Sequence, residues 1–274
     1  MDEGRRYIHG YDERESERLA AQARSVLDLL HRDTRYPAGS RVLEVGCGTG
    51  AQTVSLARNS PDAHITSVDR SAASLAEAAA RVNSAGLVNV HFLQADLFTL
   101  PFEPESFDHV FVCFVLEHLA NPVGALLVLK DLLEPGGTIT LFEGDHGSAY
   151  FHPDSDVAHR AIECQVTLQR RAGGNACIGR QLYPMLLHAG FADARVSPRM
   201  VYVDATRPDL VDSFTRKTFT GMVEGVRSQA LESGIIDAAT FDAGIRDLHR
   251  AAEPDGVFCY TFFKGMAAKP NRRV

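Results

Sequence analysis

The sequence predicts an α/β fold, a mostly parallel sheet with helices on both faces. Two observations carry that expectation. From about residue 41 to 143, short runs rich in Val, Ile and Leu alternate with helical stretches, the pattern of strands buried on both sides by crossover helices. Within it, Val42-Leu43-Glu44-Val45-Gly46-Cys47-Gly48-Thr49-Gly50 reads as buried strand, glycine turn and helix start, and Asp69 closes the next strand 19 residues after Gly50.

The elements follow in order. Leu19, Ala23, Val26, Leu27 and Leu30 recur at helical spacing, so an amphipathic helix is expected over Glu13–Leu30. Residues 1–36 are read as a helical leader or lid, aromatic at Tyr7-Ile8-His9-Gly10-Tyr11, and Tyr36-Pro37-Ala38-Gly39-Ser40 breaks the chain before strand one. Strands are expected near 41–45, 64–69, 90–95, 109–113 and 138–143, and helices near 51–58, 72–85 and 122–133. The second half predicts a helix over 157–171, a loop at Gly173-Gly174-Asn175 and a helix over 181–189 stopped by Gly190. A strand over 194–203, a polar helical insertion over 207–253 and a final strand over 257–263 complete it. Residues 37–274 form one domain in this reading. Insertions near 150–178 and 206–253 are expected to cap the carboxyl edge of the sheet, where open α/β folds bind ligands.

Composition narrows the class. With 45% hydrophobic and 23% charged residues the chain has ample material for a core. No apolar run approaches the roughly 20 residues needed to span a bilayer, and Met1-Asp2-Glu3-Gly4-Arg5-Arg6 leads into no apolar signal region, so a cytoplasmic protein is expected. Five cysteines without close pairs argue against a disulfide framework or a zinc site. A net charge of −7 points away from nucleic acid and towards a small-molecule substrate.

The glycine turn carries the chemistry. Glycine permits positive φ and close approach of a ligand to the backbone, and the next helix offers free N–H groups. A carboxylate at the tip of the following strand suits a ribose. An adenosine-containing cofactor is therefore expected. Glu44, two residues before the first glycine, would repel a pyrophosphate but suits a cationic amino-acid group. Gln94-Ala95-Asp96-Leu97 closes the third strand with a second acid, placed to accept from an adenine amino group.

At this point the chain resembles the class I S-adenosylmethionine-dependent methyltransferases, over roughly residues 40–145. Glu44, Gly46, Gly48, Gly50, Asp69 and Asp96 fall on the family's motif positions, and Ser106-Phe107-Asp108-His109-Val110 and Glu134-Pro135-Gly136-Gly137-Thr138 look like its fourth strand and the turn before its fifth. The resemblance implies a Rossmann-like seven-stranded sheet whose antiparallel last strand lies between strands five and six. It also implies S-adenosylmethionine as cofactor. Glu44 and the loop 46–50 would meet the amino-acid portion, with Gln52 at its carboxylate. Asp69 would take the ribose, Asp96 and Leu97 the adenine, Arg70 is a further cofactor contact, and the backbone at Cys113 and Phe114 would pass the sulfonium.

Methyl transfer rests on positioning, with a base where the nucleophile carries a proton. The candidates are Asp145 and His146 in Glu143-Gly144-Asp145-His146, His118 after the fourth strand, and Tyr11. Glu143, Tyr7, Tyr11 and Tyr183 are candidate acceptor contacts. The competing structural readings are a capping role for Glu143, a solvated loop for His146 and plain packing for the tyrosines. No metal is expected, because His152 with Asp145 or His146 lacks ligand spacing. The whole-chain pattern is similar to stand-alone enzymes that act on small molecules, which favours a ring carbon or nitrogen of an indole-type natural product. The alternatives are O- or N-methylation of a quinone, phenol or polyketide, a cyclase that retains the cofactor, and a protein-binding or protein-methylating module. A homodimer through the N-terminal helix is a further expectation.

Overall fold

The computed structural model describes residues 30–272. Strand β1, Arg41–Val45, is buried at all but its first residue, because Val42, Leu43 and Val45 have helices on both sides to pack against. It pairs in parallel with β2, His64–Asp69, and with β4, Phe107–Cys113, and β3, Val90–Gln94, adds in parallel beyond β2. Strand β5, Leu133–His152, joins β4 in parallel with Val110 opposite Ile139. With β6, Ala192–Val203, and β7, Val257–Ala268, the sheet has seven strands in the order 3-2-1-4-5-7-6. The final strand is inserted between the fifth and sixth and runs antiparallel, as the sequence predicts.

Among the described residues, 30–144, 178–199 and 262–272 make one unit and 145–177 with 200–261 another. In the first, α1, Ala51–Asn59, begins directly after Gly50. Helix α2, Ala72–Ser84, is capped by Ser71, whose side chain accepts the Ser74 N–H, and α3, Pro122–Leu132, is capped by Asn121 on Gly124. These caps satisfy donors that have no partner within the first turn. Helix α5, Leu182–His188, packs near α3, and Leu126, Leu129, Leu182 and Leu186 share one core with Leu43, Val110 and Ile139. The residues just before β1 belong to this body: Leu30, His31 and Thr34 are buried.

In the second unit, α4, Asp156–Arg171, packs on α6, Ala238–Arg250. Gly244 makes that approach possible, since a Cβ there would lie 2.9 Å from the Ala161 methyl. The chain between them is helical through Pro208–Leu210, Val211–Thr220 and Gly221–Gly225, with its middle wound as a π-helix, and again over Arg227–Glu232. The expectation of a polar insertion is corrected here. Phe214, Phe219, Val223, Phe241 and Leu248 are buried, and the Phe219 ring lies 4.6 Å from Phe258 and 5.5 Å from Tyr260. Its polar residues occupy the other face of amphipathic helices.

Strands β5 and β7 run well past their expected ends. The strand expected near 138–143 runs on through Gly144 and Gly147 to His152, before Pro153, which has no N–H for a ladder. Strand β7 extends to Ala268. No helix among the described residues is long and apolar enough to cross a membrane.

Candidate active site

The site begins at the turn between β1 and α1. Gly46, Gly48 and Gly50 all have positive φ, at 70°, 51° and 76°. The Gly46 and Cys47 N–H groups donate to the Val68 carbonyl at 2.8 and 3.1 Å, tying the turn to the end of β2. The glycines serve different ends. A Cβ at Gly50 would lie 2.8 Å from Ala78 Cα and Cβ in α2, whereas a Cβ at Gly48 would meet nothing within 4 Å. Gly50 is needed for helix packing; Gly48 leaves an open face.

Asp69 at the tip of β2 is held on that loop. Its Oδ2 accepts the Gly48 N–H and its Oδ1 the Ser71 N–H, each at 2.9 Å. Each carboxylate oxygen retains a lone pair for a ligand hydroxyl. Arg70 is exposed, and its carbonyl accepts from Gln94 Nε2 at 3.0 Å. After β3, Asp96 is exposed and caps the short turn Leu97–Thr99 by accepting the Phe98 N–H at 2.8 Å; Leu97 is half-buried.

Glu44 is turned inward. It is 2% exposed, and its Oε2 accepts from Thr53 Oγ1 at 2.7 Å and Ser67 Oγ at 2.6 Å. Burial raises its pKa to about 7, against the pull of the two hydroxyls, and the Asp69 charge adds to the rise. Gln52, in the first turn of α1, accepts on Oε1 from His31 Nε2.

At the end of β4, Cys113 is buried and Phe114 takes φ 57°, a conformation uncommon for a bulky residue and frequent where structure serves a site. Its N–H donates to Phe142 O at 2.9 Å and its ring lies 5.4 Å from Phe262. The next turn is held from below. Glu143, fully buried, accepts on Oε1 the N–H groups of Val115 at 3.1 Å and Leu116 at 2.8 Å, and its Oε2 has no partner among the described residues. Burial first, and the Glu117 charge second, push its pKa well above the carboxylate range. Glu143 thus braces the turn that carries Glu117 and His118, whose Oε1 and Nε2 lie 3.5 Å apart.

Strand β5 does not end at Glu143, Asp145 and His146. They lie inside β5, with Glu143 in the first unit and Asp145 and His146 in the second. His146 is not a solvated loop residue. It is 6% exposed, its Nδ1 faces Ala176 O and Tyr260 Oη at 3.0 Å, and its Nε2 faces Met222 Sδ at 3.2 Å. Asp145 is buried and its Oδ1 accepts the Gly147 N–H at 3.1 Å. A cavity of about 410 Å³ is lined in part by His146, Tyr150, His159, Arg160 and Cys177. Tyr183 and Tyr202 are about half exposed and Tyr260 is buried. Tyr7 and Tyr11 lie outside the described residues. Sequence reasoning missed Thr53, Ser67 and His31, small or lone polar residues whose roles come only from what they meet.

A glycine turn opening onto a strand-tip carboxylate, in a sheet of order 3-2-1-4-5-7-6, is the arrangement of the Rossmann-like methyltransferase fold. Residues 42–137 match the family described as a methyltransferase domain. An uncharacterized 37.1 kDa protein in transposon Tn4556 of Streptomyces fradiae is 35% identical over 183 residues, 66% of this chain and 52% of that protein. An uncharacterized methyltransferase of Schizosaccharomyces pombe is 32% identical over 184 residues, 65% of this chain and 64% of its own length. Demethylmenaquinone methyltransferase of Staphylococcus aureus is 32% identical over 113 residues, 41% of this chain and 46% of that enzyme. The chain thus spans from just under half to just under two thirds of these relatives.

Among solved structures, one of a putative methyltransferase from Bacillus halodurans has a TM-score of 0.56 at 18% identity, covering 92% of this chain and 100% of that one. The 4+2 cyclase SpnF has a TM-score of 0.53 at 20% identity, covering 97% of this chain and 86% of that one. At this identity both report the fold. The residues present fit the cofactor: Gly48 leaves a cradle that any Cβ would fill, and Asp69 is fixed at its rim.

Proposed function

We propose that the chain transfers the methyl group of S-adenosylmethionine to a small organic acceptor. The observation that carries this reading is the open face of Gly48 beside the anchored Asp69 carboxylate, inside a methyltransferase domain. When bound, the cofactor supplies a methyl on a cationic sulfur, already activated for displacement. Asp69 accepts the ribose hydroxyls, Asp96 the adenine amine, and the main chain at Phe114 borders the sulfur. The protein's part is then alignment of the acceptor and removal of any proton it sheds. His118, Asp145 and Tyr11 are the proposed groups for that proton. His146 would have to give up one of its internal bonds to serve.

For the acceptor, a ring carbon or nitrogen of an indole-type compound is the favoured proposal, with the Tyr7 and Tyr11 rings as stacking surfaces. Similarity to demethylmenaquinone methyltransferases supports a quinone or phenol as the second reading. The likeness in fold to the SpnF cyclase is compatible with the third reading, a cyclase that retains the cofactor. The proposal further places the protein in the cytoplasm, as a homodimer joined through the N-terminal helix. One assay separates the readings: incubation with S-adenosylmethionine and a panel of indoles, tryptophan-derived cyclic dipeptides, quinones, phenols and amines, read by mass spectrometry. S-adenosylhomocysteine with a product heavier by one CH₂ supports transfer, and the responding class names the acceptor. A rearranged product of unchanged mass without S-adenosylhomocysteine selects the cyclase and refutes transfer.

A further inference from the structure

The segment before β1 reaches into the cofactor half at one side chain. His31 is 1% exposed and sits between two rings, 5.6 Å from Phe111 and 5.1 Å edge-on to Phe142. Its Nε2 meets Gln52 Oε1, and its Nδ1 has no partner among the described residues. Gln52 is in the first turn of α1, two residues after Gly50.

The backbone around His31 is pinned. Asn59 Nδ2 donates to His31 O at 3.1 Å and to Thr34 O at 3.4 Å. Lys264, 3% exposed and 5.3 Å above the Phe142 ring, donates to Asp33 Oδ1 at 2.9 Å and Thr34 Oγ1 at 3.1 Å. Arg199 pairs with the other Asp33 oxygen. The imidazole therefore has a fixed place. Burial lowers its pKa to about 4 against the pull of the Gln52 bond, with the Lys264 charge helping and Asp33 opposing, so at neutral pH it is uncharged and has one N–H to give.

We propose that His31 is a positioning residue for the cofactor site, holding the Gln52 carboxamide by its oxygen so that the amide –NH₂ faces the cofactor's carboxylate at the glycine turn. The inference rests on the reading of that turn as the S-adenosylmethionine site. Gln52 is half-buried, and a glutamine side chain that no partner holds has several rotamers, so ordering it only on binding costs affinity. One hydrogen bond from a buried ring holds it beforehand. A neutral imidazole is required, because only one proton is needed and a second would be a buried charge.

Calorimetric titration of the full chain with S-adenosylmethionine tests this, with thermal melting of each variant alongside. His31→Phe fills the slot between the rings and lacks the donor; His31→Gln keeps a donor. His31→Phe and Gln52→Ala are each expected to weaken binding about tenfold, the scale of a lost hydrogen bond to a charged group. The double variant is expected to bind like Gln52→Ala alone, because His31 acts through Gln52. His31→Gln is expected to recover most of the affinity. Wild-type affinity in a folded His31→Phe, additive losses in the double variant, or no recovery by His31→Gln overturns the proposal. If the wild-type protein itself binds no S-adenosylmethionine, the functional reading fails first and the two failures are told apart.

Discussion

Asp69 Oδ2 accepts the Gly48 N–H across 2.9 Å, so the carboxylate at the tip of β2 and the turn after β1 are held as one piece. Asp69→Ala removes both the ribose acceptor and this brace. S-adenosylmethionine binding is expected to weaken at least tenfold by calorimetry, the scale of hydrogen bonds to a charged group. Unchanged affinity would contradict the placement of the ribose.

The two glycines that flank Thr49 separate packing from binding. Gly50→Ala sets a methyl 2.8 Å from the Ala78 backbone at φ 76°, and is expected to lower the melting temperature markedly. Gly48→Ala meets nothing within 4 Å. It is expected to cost only about 1 kcal/mol of backbone strain, while cofactor affinity falls far more. Equal melting temperatures for the two variants would refute this division.

Glu44 has a pKa raised to about 7 in the folded chain against 4.5 for an ordinary glutamate. A raised carboxyl pKa means the folded state prefers the protonated form. Its contribution is fully present below pH 4.5 and is lost as pH climbs to 7 and beyond. At one unit per ~1.4 kcal/mol, the loss at pH 8 is on the order of 3 kcal/mol. Glu44→Gln should therefore gain stability over the parent above pH 7 in urea titrations without cofactor. A constant difference between the two from pH 5 to pH 8 would be the contrary result.

His31 works in the opposite direction. Its pKa is lowered from 6.5 to about 4, so its share of stability is present above pH 6.5 and drains away as pH falls towards 4. His31→Gln should flatten the acid limb of the stability curve between those values. A variant as acid-sensitive as the parent would show that the ring is not buried neutral.

Glu143 braces the turn after β4, and the conservative and truncating variants should part company. Glu143→Ala orphans the Val115 and Leu116 N–H groups, at roughly 1–3 kcal/mol each. Glu143→Gln keeps an acceptor and is expected to stay near the parent at neutral pH. Amide exchange at Val115 and Leu116 reads it directly: fast exchange in the alanine variant and protection in the glutamine variant are the expected pair.

Much of this was legible along the chain. Strand β1, the glycine turn and Asp69 were readable because an apolar run, an obligatory glycine pattern and a strand-tip acid are local signals. The end of β5 was not. Gly144 and Gly147 are turn formers in isolation, but neighbouring strands hold them extended until Pro153. Nor was the burial of Phe214 and Phe219, because the polar residues between them hide the apolar face until the helices pack.

The sequence by itself determined the element order, the glycine turn and the match of residues 42–137 to a methyltransferase domain, all of which depend on residues close together in the chain. Tertiary structure alone decided which acids and histidines are charged. Glu44 meets Thr53 and Ser67, Glu143 meets Leu116, and His31 meets Gln52 across separations of 9 to 27 residues. Protonation follows from burial and from those distant partners, and neither is written in any local pattern.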